Sequence, residues 1–254
     1  MTAVQSASDG IGITEYLYRP LAPFTYEELQ SMVQRGVMRH VIADVYAEAL
    51  IPPSPALRAA GAHALLNRSC RRLGTLCGET AAWVHLGGPP PARLTIITDR
   101  TESALPAAGD VQIHRSRLTH GDLQRQGPLR CTTALRSAGD LFCGTGVRHL
   151  RRALDRVIEG RARADRILQQ WPANQAPLRG RDEDVCAIGP EDERIVHERW
   201  HTIAQLLQRA EAGPEELADV VMRIVSRSGW DHRRRESVRQ LADQCVSRRL
   251  PTVR

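Results

Sequence analysis

Lysine is absent from this chain: all 35 of its basic residues are arginine. The acid-plus-lysine cluster used by many nucleases is therefore missing. Aromatic residues make up only 4% of the chain, so the core must be built from Leu, Val, Ile and Ala. No apolar run approaches the ~18 residues that a membrane-spanning helix needs, and no signal-peptide pattern opens the sequence. A cytoplasmic protein with no membrane partner is expected. The six cysteines are scattered without a C-x-x-C pair. Buried, reduced thiols are expected rather than a disulfide framework or a zinc site. No P-loop, dinucleotide fingerprint or nucleophile elbow is found, and no cofactor is expected.

The 254 residues, 42% of them hydrophobic, suffice for one large or two small domains. The net charge of +6 is unevenly spread. Residues 1–50 hold 3 Arg against 6 acids, residues 51–160 hold 15 against 8, and residues 161–254 hold 17 against 15. The positive excess, which favours acidic partners, lies mid-chain.

Local signals divide the chain into four segments. In residues 1–50, Thr25 and Glu28 are spaced as a capping box, predicting a helix over 26–34 that Gly36 stops. Residues 37–41 and 45–47 read as two short strands around a tight turn. Helix, glycine and hairpin in that order describe the last helix and wing of a winged helix-turn-helix. Residues 51–171 read as an α/β domain. Its helices are expected at about 56–66, 79–85, 133–142 and 147–171, with a Cys-Arg-Arg turn near 70–72. Strands are expected at 94–98 and 111–115, and an edge strand at 129–132. Residues 172–192 read as a linker. Residues 193–254 form a helical end with helices at about 193–210, 214–226 and 232–247. The expected class is α+β.

Three stretches in this order resemble the AbiEi-like antitoxin family of type IV toxin–antitoxin systems. Arg35-Gly36-Val37…Arg39-His40-Val41…Val45-Tyr46 is similar to its RG-x-x-x-R-V-x-x-G-V-Y pattern. Gly78-Glu79-Thr80-Ala81-Ala82-Trp83-Val84-His85-Leu86-Gly87 is similar to S-x-x-T-A-A-W-L-H-G. Cys131 to Leu141, with Arg136 and Asp140, is similar to V-T-s-p-x-R-T-x-x-D-L. The likeness covers about residues 25–160. It implies a winged helix that binds promoter DNA and represses an operon, and a following domain that counters a cognate toxin, typically a nucleotidyltransferase. It implies a regulator for phage defence, not an enzyme.

A recognition helix offers polar side chains to base edges while arginines hold phosphates. The helix over 26–34 would present Tyr26, Glu27, Gln30, Ser31 and Gln34, with Arg35 at its end and Arg39 and His40 on the wing. Gln30 and Gln34 have the chemistry to read adenine, and Glu27 to accept from cytosine. Two arginine groups form candidate phosphate- or toxin-binding surfaces. Arg148, Arg152 and Arg156 recur every four residues on one helix face, and Arg68, Arg71 and Arg72 cluster upstream. Such stripes also serve simply as the wet face of a helix. Arg136 and Asp140, four apart, are expected to pair and fix their helix, with Trp83 and His85 as packing residues.

Two further readings stand beside the regulator. The acidic first segment, and Asp44 where the wing's glycine is expected, suit a protein-interaction module that has lost DNA binding. His197-Glu198-Arg199-Trp200-His201 is a formal H-E-x-x-H, the pattern of a zinc hydrolase. Against it, a buried stripe through Val196, Trp200, Ile203 and Leu207 turns His197, Glu198 and His201 towards solvent.

Overall fold

The structure, a computed structural model, describes residues 12–21, 23–98, 111–145, 190–225, 236–240 and 242–243. It is of the α+β class and falls into two compact units, Met1–Thr133 and Ala134–Arg254. Sequence signals place divisions at 50, 171 and 192. The first of these runs through a continuous core.

In unit one, Thr25 caps helix α1 (Tyr26–Gln34). Its hydroxyl accepts from Glu28 N at 3.3 Å, and the Glu28 carboxylate accepts from Thr25 N at 2.8 Å. This reciprocal bonding satisfies two donors that a helix start would otherwise leave unpaired. Gly36, at φ +72, turns the chain out of the helix into a conformation that costs a residue with a Cβ. Strands β2 (Met38–Ile42) and β3 (Val45–Glu48) follow as an antiparallel hairpin. Ile42 pairs with Val45, so Ala43 and Asp44 alone make the turn. An earlier strand, β1 (Leu17–Tyr18), pairs with β3, giving the order β1-β3-β2.

The hairpin is built into the core of the following segment. Helix α2 (Pro55–Leu65) starts with Ser54 as cap and proline in its first turn, where a missing N–H costs nothing. Val41, Ile42, Val45 and Ala47 of the hairpin share one core with Leu57, Ala59 and Ala62 of α2. Gly61 permits this approach: a Cβ there would lie 2.7 Å from Val41 Cγ1 and 3.3 Å from Ile42 Cγ2.

Beyond α2, the expected Cys-Arg-Arg turn is instead helix α3 (Arg68–Leu73). The Asn67 carboxamide oxygen nucleates it by accepting from Cys70 N at 2.8 Å. Strand β4 (Thr75–Leu76), helix α4 (Gly78–Leu86), β5 (Leu94–Thr98), β6 (Val111–Arg115), β7 (Leu123–Gln126) and β8 (Leu129–Thr132) complete the unit. The five strands are ordered β6-β5-β4-β8-β7, a mixed sheet in which β5 and β6 are parallel. The strand at 129–132, expected at an edge, is therefore internal, because the polar β7 pairs outside it. Cys70, Cys77 and Cys131 are buried thiols in this unit, and Cys143 is one in the other.

In unit two, helix α5 (Ala134–Phe142) packs on α6 (Pro190–Ala210) and α7 (Pro214–Val225). The expected linker ends earlier than 192, since Pro190 already opens α6. Residues 236–240 and 242–243, inside the helix expected at 232–247, are helical. The helix expected at 147–171, with Arg148, Arg152 and Arg156, lies outside the described residues. Among those described, no helix is long and apolar enough to cross a membrane.

Candidate nucleic-acid interface

On α1, only Leu29 is fully buried. Tyr26, Glu27, Gln34 and Arg35 are exposed and Ser31 is half-buried. Three residues expected to meet DNA are instead engaged within the unit. The Gln30 carboxamide donates to the Tyr46 hydroxyl at 2.8 Å. Burial pushes the Tyr46 phenol above its ordinary 10.0, so this acceptor keeps its proton. A guanidinium N–H of Arg39 donates to Ala49 O, and Arg39 Nε is buried without a partner among the described residues. The His40 ring contacts Ala43 O and meets the Tyr46 ring edge-on, with centroids 5.4 Å apart.

The hairpin tip is also tied down. Asp44 accepts from Arg19 Nη2 at 2.6 Å and from Arg19 Nε at 3.1 Å. Both side chains are well exposed, so the pair adds little stability. It does neutralise the acid at the hairpin tip. Of the α1 residues expected at DNA, Tyr26, Glu27 and Gln34 stay exposed, with Arg35 at its end.

The denser positive surface lies on α3 and the β7–β8 hairpin. Arg68, Arg71 and Arg72, spaced three and four apart, share the exposed side of α3. Arg71 Nη2 donates to Ala64 O at 3.2 Å, and Arg130 Nη2 donates to Arg72 O at 3.1 Å. Arg130 stands directly opposite Arg125 in the β7–β8 ladder, and both are exposed. Sequence reasoning missed Arg125 and Arg130. The signal was the Gly127-Pro128 turn, whose two-residue length fixes their register.

The second family-like motif meets the start of the third. His85, buried on α4, hydrogen-bonds Thr132 O through Nε2 at 2.8 Å; a carbonyl only accepts, so this nitrogen carries the proton. Thr80 Oγ1 accepts from Thr95 N at 2.7 Å, fixing α4 on β5. Arg58 Nε and Nη2 both donate to Val84 O, at 3.0 and 2.8 Å. Trp83 is buried in the core, as expected for a packing residue. In unit two, Arg136 Nε and Asp140 Oδ1 lie 3.0 Å apart and are buried, the expected pairing.

For the H-E-x-x-H stretch, the side chains of His197 and Glu198 lie outside the described residues. His201 is exposed, with Gln205 Nε2 3.3 Å from its Nε2. Arg199 is 8% exposed, with Nη1 donating to Leu141 O at 3.4 Å. The buried face of α6 therefore runs through Arg199, Ile203, Leu206 and Leu207, while Trp200 is only half-buried. The expected stripe is rotated towards Arg199. No cluster of three His, Cys, Asp or Glu suited to a metal occurs among the described residues.

No family model, curated protein or solved structure matches the chain.

Proposed function

We propose that this chain is an antitoxin-like, DNA-binding transcriptional regulator of a bacterial toxin–antitoxin operon of the phage-defence type. The observation that carries the reading is the unit of α1, Gly36 and the β2–β3 hairpin closed by β1. That arrangement suits a winged helix reduced to its last helix and wing. The segment between β1 and α1 holds Pro20 and Pro23 and has no length for another helix. Insertion of α1 in a major groove brings Tyr26, Glu27 and Gln34 to base edges and Arg35 to a phosphate. The His85–Thr132 contact supports the likeness to AbiEi-like antitoxins, because it ties the second motif to the start of the third. The partner implied is a cognate toxin, with a nucleotidyltransferase the expected class.

The test is anisotropy of a labelled fragment of the chain's own upstream region, titrated with protein at several salt concentrations. Saturable binding that weakens with salt and drops on Gln34→Ala and Arg35→Ala supports the regulator. Absence of binding at low salt removes it.

A second reading, an interaction module without DNA binding, has its own support. Val37 and Leu50, 55% and 93% exposed, flank the open end of the hairpin, and Gln30, Arg39 and His40 are already engaged. Co-purification with the product of a neighbouring gene, without promoter occupancy, distinguishes it.

A further inference from the structure

Six exposed arginines of unit one lie along a line of backbone contacts. Arg71 reaches Ala64 O at the end of α2, and Arg19 Nη1 reaches the same oxygen at 3.4 Å. Arg72 follows on α3, its carbonyl holds Arg130, and Arg130 faces Arg125 across the ladder. Arg68 lies one turn before Arg72. The one carboxylate in this line of contacts, Asp44, is occupied by Arg19.

A purely structural account covers part of this. Arg71 and Arg130 bond carbonyls in the last turns of two helices, where a cation is favoured. Each such bond uses one of five guanidinium N–H donors. Arg68, Arg72 and Arg125 make no side-chain hydrogen bond or ion pair among the described residues. Arg125 and Arg130 are like charges directly opposite one another, an arrangement that destabilises a sheet unless something offsets it.

We propose that Arg68, Arg71, Arg72, Arg125 and Arg130 form a ridge that grips the phosphate backbone of duplex DNA, separately from the contacts of α1. Duplex DNA carries about one charge per 1.7 Å of axis, a density that matches a row of forked cations. An acidic protein fits less well. Protein interfaces centre on aromatic and apolar anchors with arginine beside them, and among the described residues the large exposed apolar ones, Tyr16, Leu21, Tyr26, Val37 and Leu50, all belong to the first fifty. The ridge rests on the regulator reading only for its choice of ligand. It adds a sequence-independent hold, leaving α1 to discriminate.

The experiment compares the upstream fragment with a scrambled duplex of equal length, at 50 mM salt and above. The probes meet the full chain, its Arg72→Ala/Arg125→Ala/Arg130→Ala variant and the matching triple Lys variant. The Ala variant is expected to bind both duplexes at least tenfold more weakly, with a log–log salt slope smaller by about three. The Lys variant restores most of the slope, because charge rather than fork geometry sets it. All three sites are exposed, so an unchanged melting curve verifies folding. Failure of the full chain to bind scrambled duplex at 50 mM salt overturns the ridge, as does binding indifferent to the Ala variant. So does a chain that binds polyglutamate but no duplex, which would assign the arginines to an acidic protein. Ridge-dependent binding with no preference for the upstream fragment keeps the ridge and removes the regulator.

Discussion

Arg136 and Asp140 form an ion pair one helical turn apart, with Nε and Oδ1 at 3.0 Å and side chains only 2% and 1% exposed. The arginine precedes the carboxylate, the weaker order on a helix surface, so burial rather than dipole placement gives the pair its importance. Such a pair is costly to bury and costlier to break. Asp140→Ala is expected to destabilise the chain by about 3–5 kcal/mol, read by urea denaturation. Arg136→Met/Asp140→Leu is expected to recover most of that loss. A loss under about 1 kcal/mol in the single variant would mean that the pair is not desolvated.

The bond between Gln30 and Tyr46 tests which residues of α1 serve the proposed DNA contact. Tyr46→Phe removes the acceptor and is expected to cost about 1 kcal/mol of stability while leaving affinity for the upstream fragment intact. Gln34→Ala, at an exposed position of α1, is expected to do the reverse. Equal losses of affinity from Tyr46→Phe and Gln34→Ala would return Gln30 to the recognition face.

At Gly61 two effects oppose each other. Alanine in place of a mid-helix glycine favours the helix by about 1 kcal/mol. The new methyl, however, would sit 2.7 Å from Val41 Cγ1, and overpacking a filled core costs about 1–3 kcal/mol. Packing is expected to win, so Gly61→Ala lowers the melting temperature. Gly61→Ala/Val41→Ala is expected to lose less than the sum of its two single changes, which a double-mutant cycle measures.

His63 lies in the last turn of α2, and its pKa is lowered below the ordinary 6.5, first by burial and then by the Arg71 guanidinium. A depressed folded-state pKa means that the unfolded chain takes up the proton first. Stability is therefore full above pH 6.5 and falls as the pH drops below it, down to the lowered value. Melting curves between pH 7.5 and 5 are expected to show this decline, and His63→Gln to flatten it. Arg71→Ala is expected to raise the His63 titration, followed by its ring proton resonances.

Local chemistry made parts of this fold legible. The Thr25–Glu28 box, Gly36 and the apolar positions around Ala43-Asp44 each depend on neighbours within a few residues, and α1 with its hairpin stands where they predict. Helix α3 was hidden because Arg-Ser-Cys-Arg-Arg-Leu carries no apolar period; its start is written in one residue, Asn67. Strand β4 is two residues long, too short for alternation to register. Strand β7 reads Leu-Gln-Arg-Gln, with little apolar content, and owes its place to pairing with β8. The interface was harder still. A helical wheel of α1 puts Gln30 near a surface, as the hairpin pattern does Arg39 and His40, but neither reveals that Tyr46, Ala49 and Ala43 take their polar atoms. Arg125 and Arg130 became neighbours of α3 only through a bond between positions 58 apart in sequence. The fit of Arg199 to the inner face of α6 likewise depends on a distant carbonyl, that of Leu141.

The seating of Gly61 against Val41 and Ile42 has a consequence for how such a chain diversifies. A reading head joined by a loose tether can be exchanged like a cassette, and a recombination event at residue 50 would leave both pieces intact. Here that cut passes through shared side-chain packing, leaving Leu57, Ala59 and Ala62 bare on one side and a hairpin with no floor on the other. Grafting the first fifty residues onto another protein should therefore transfer nothing that folds.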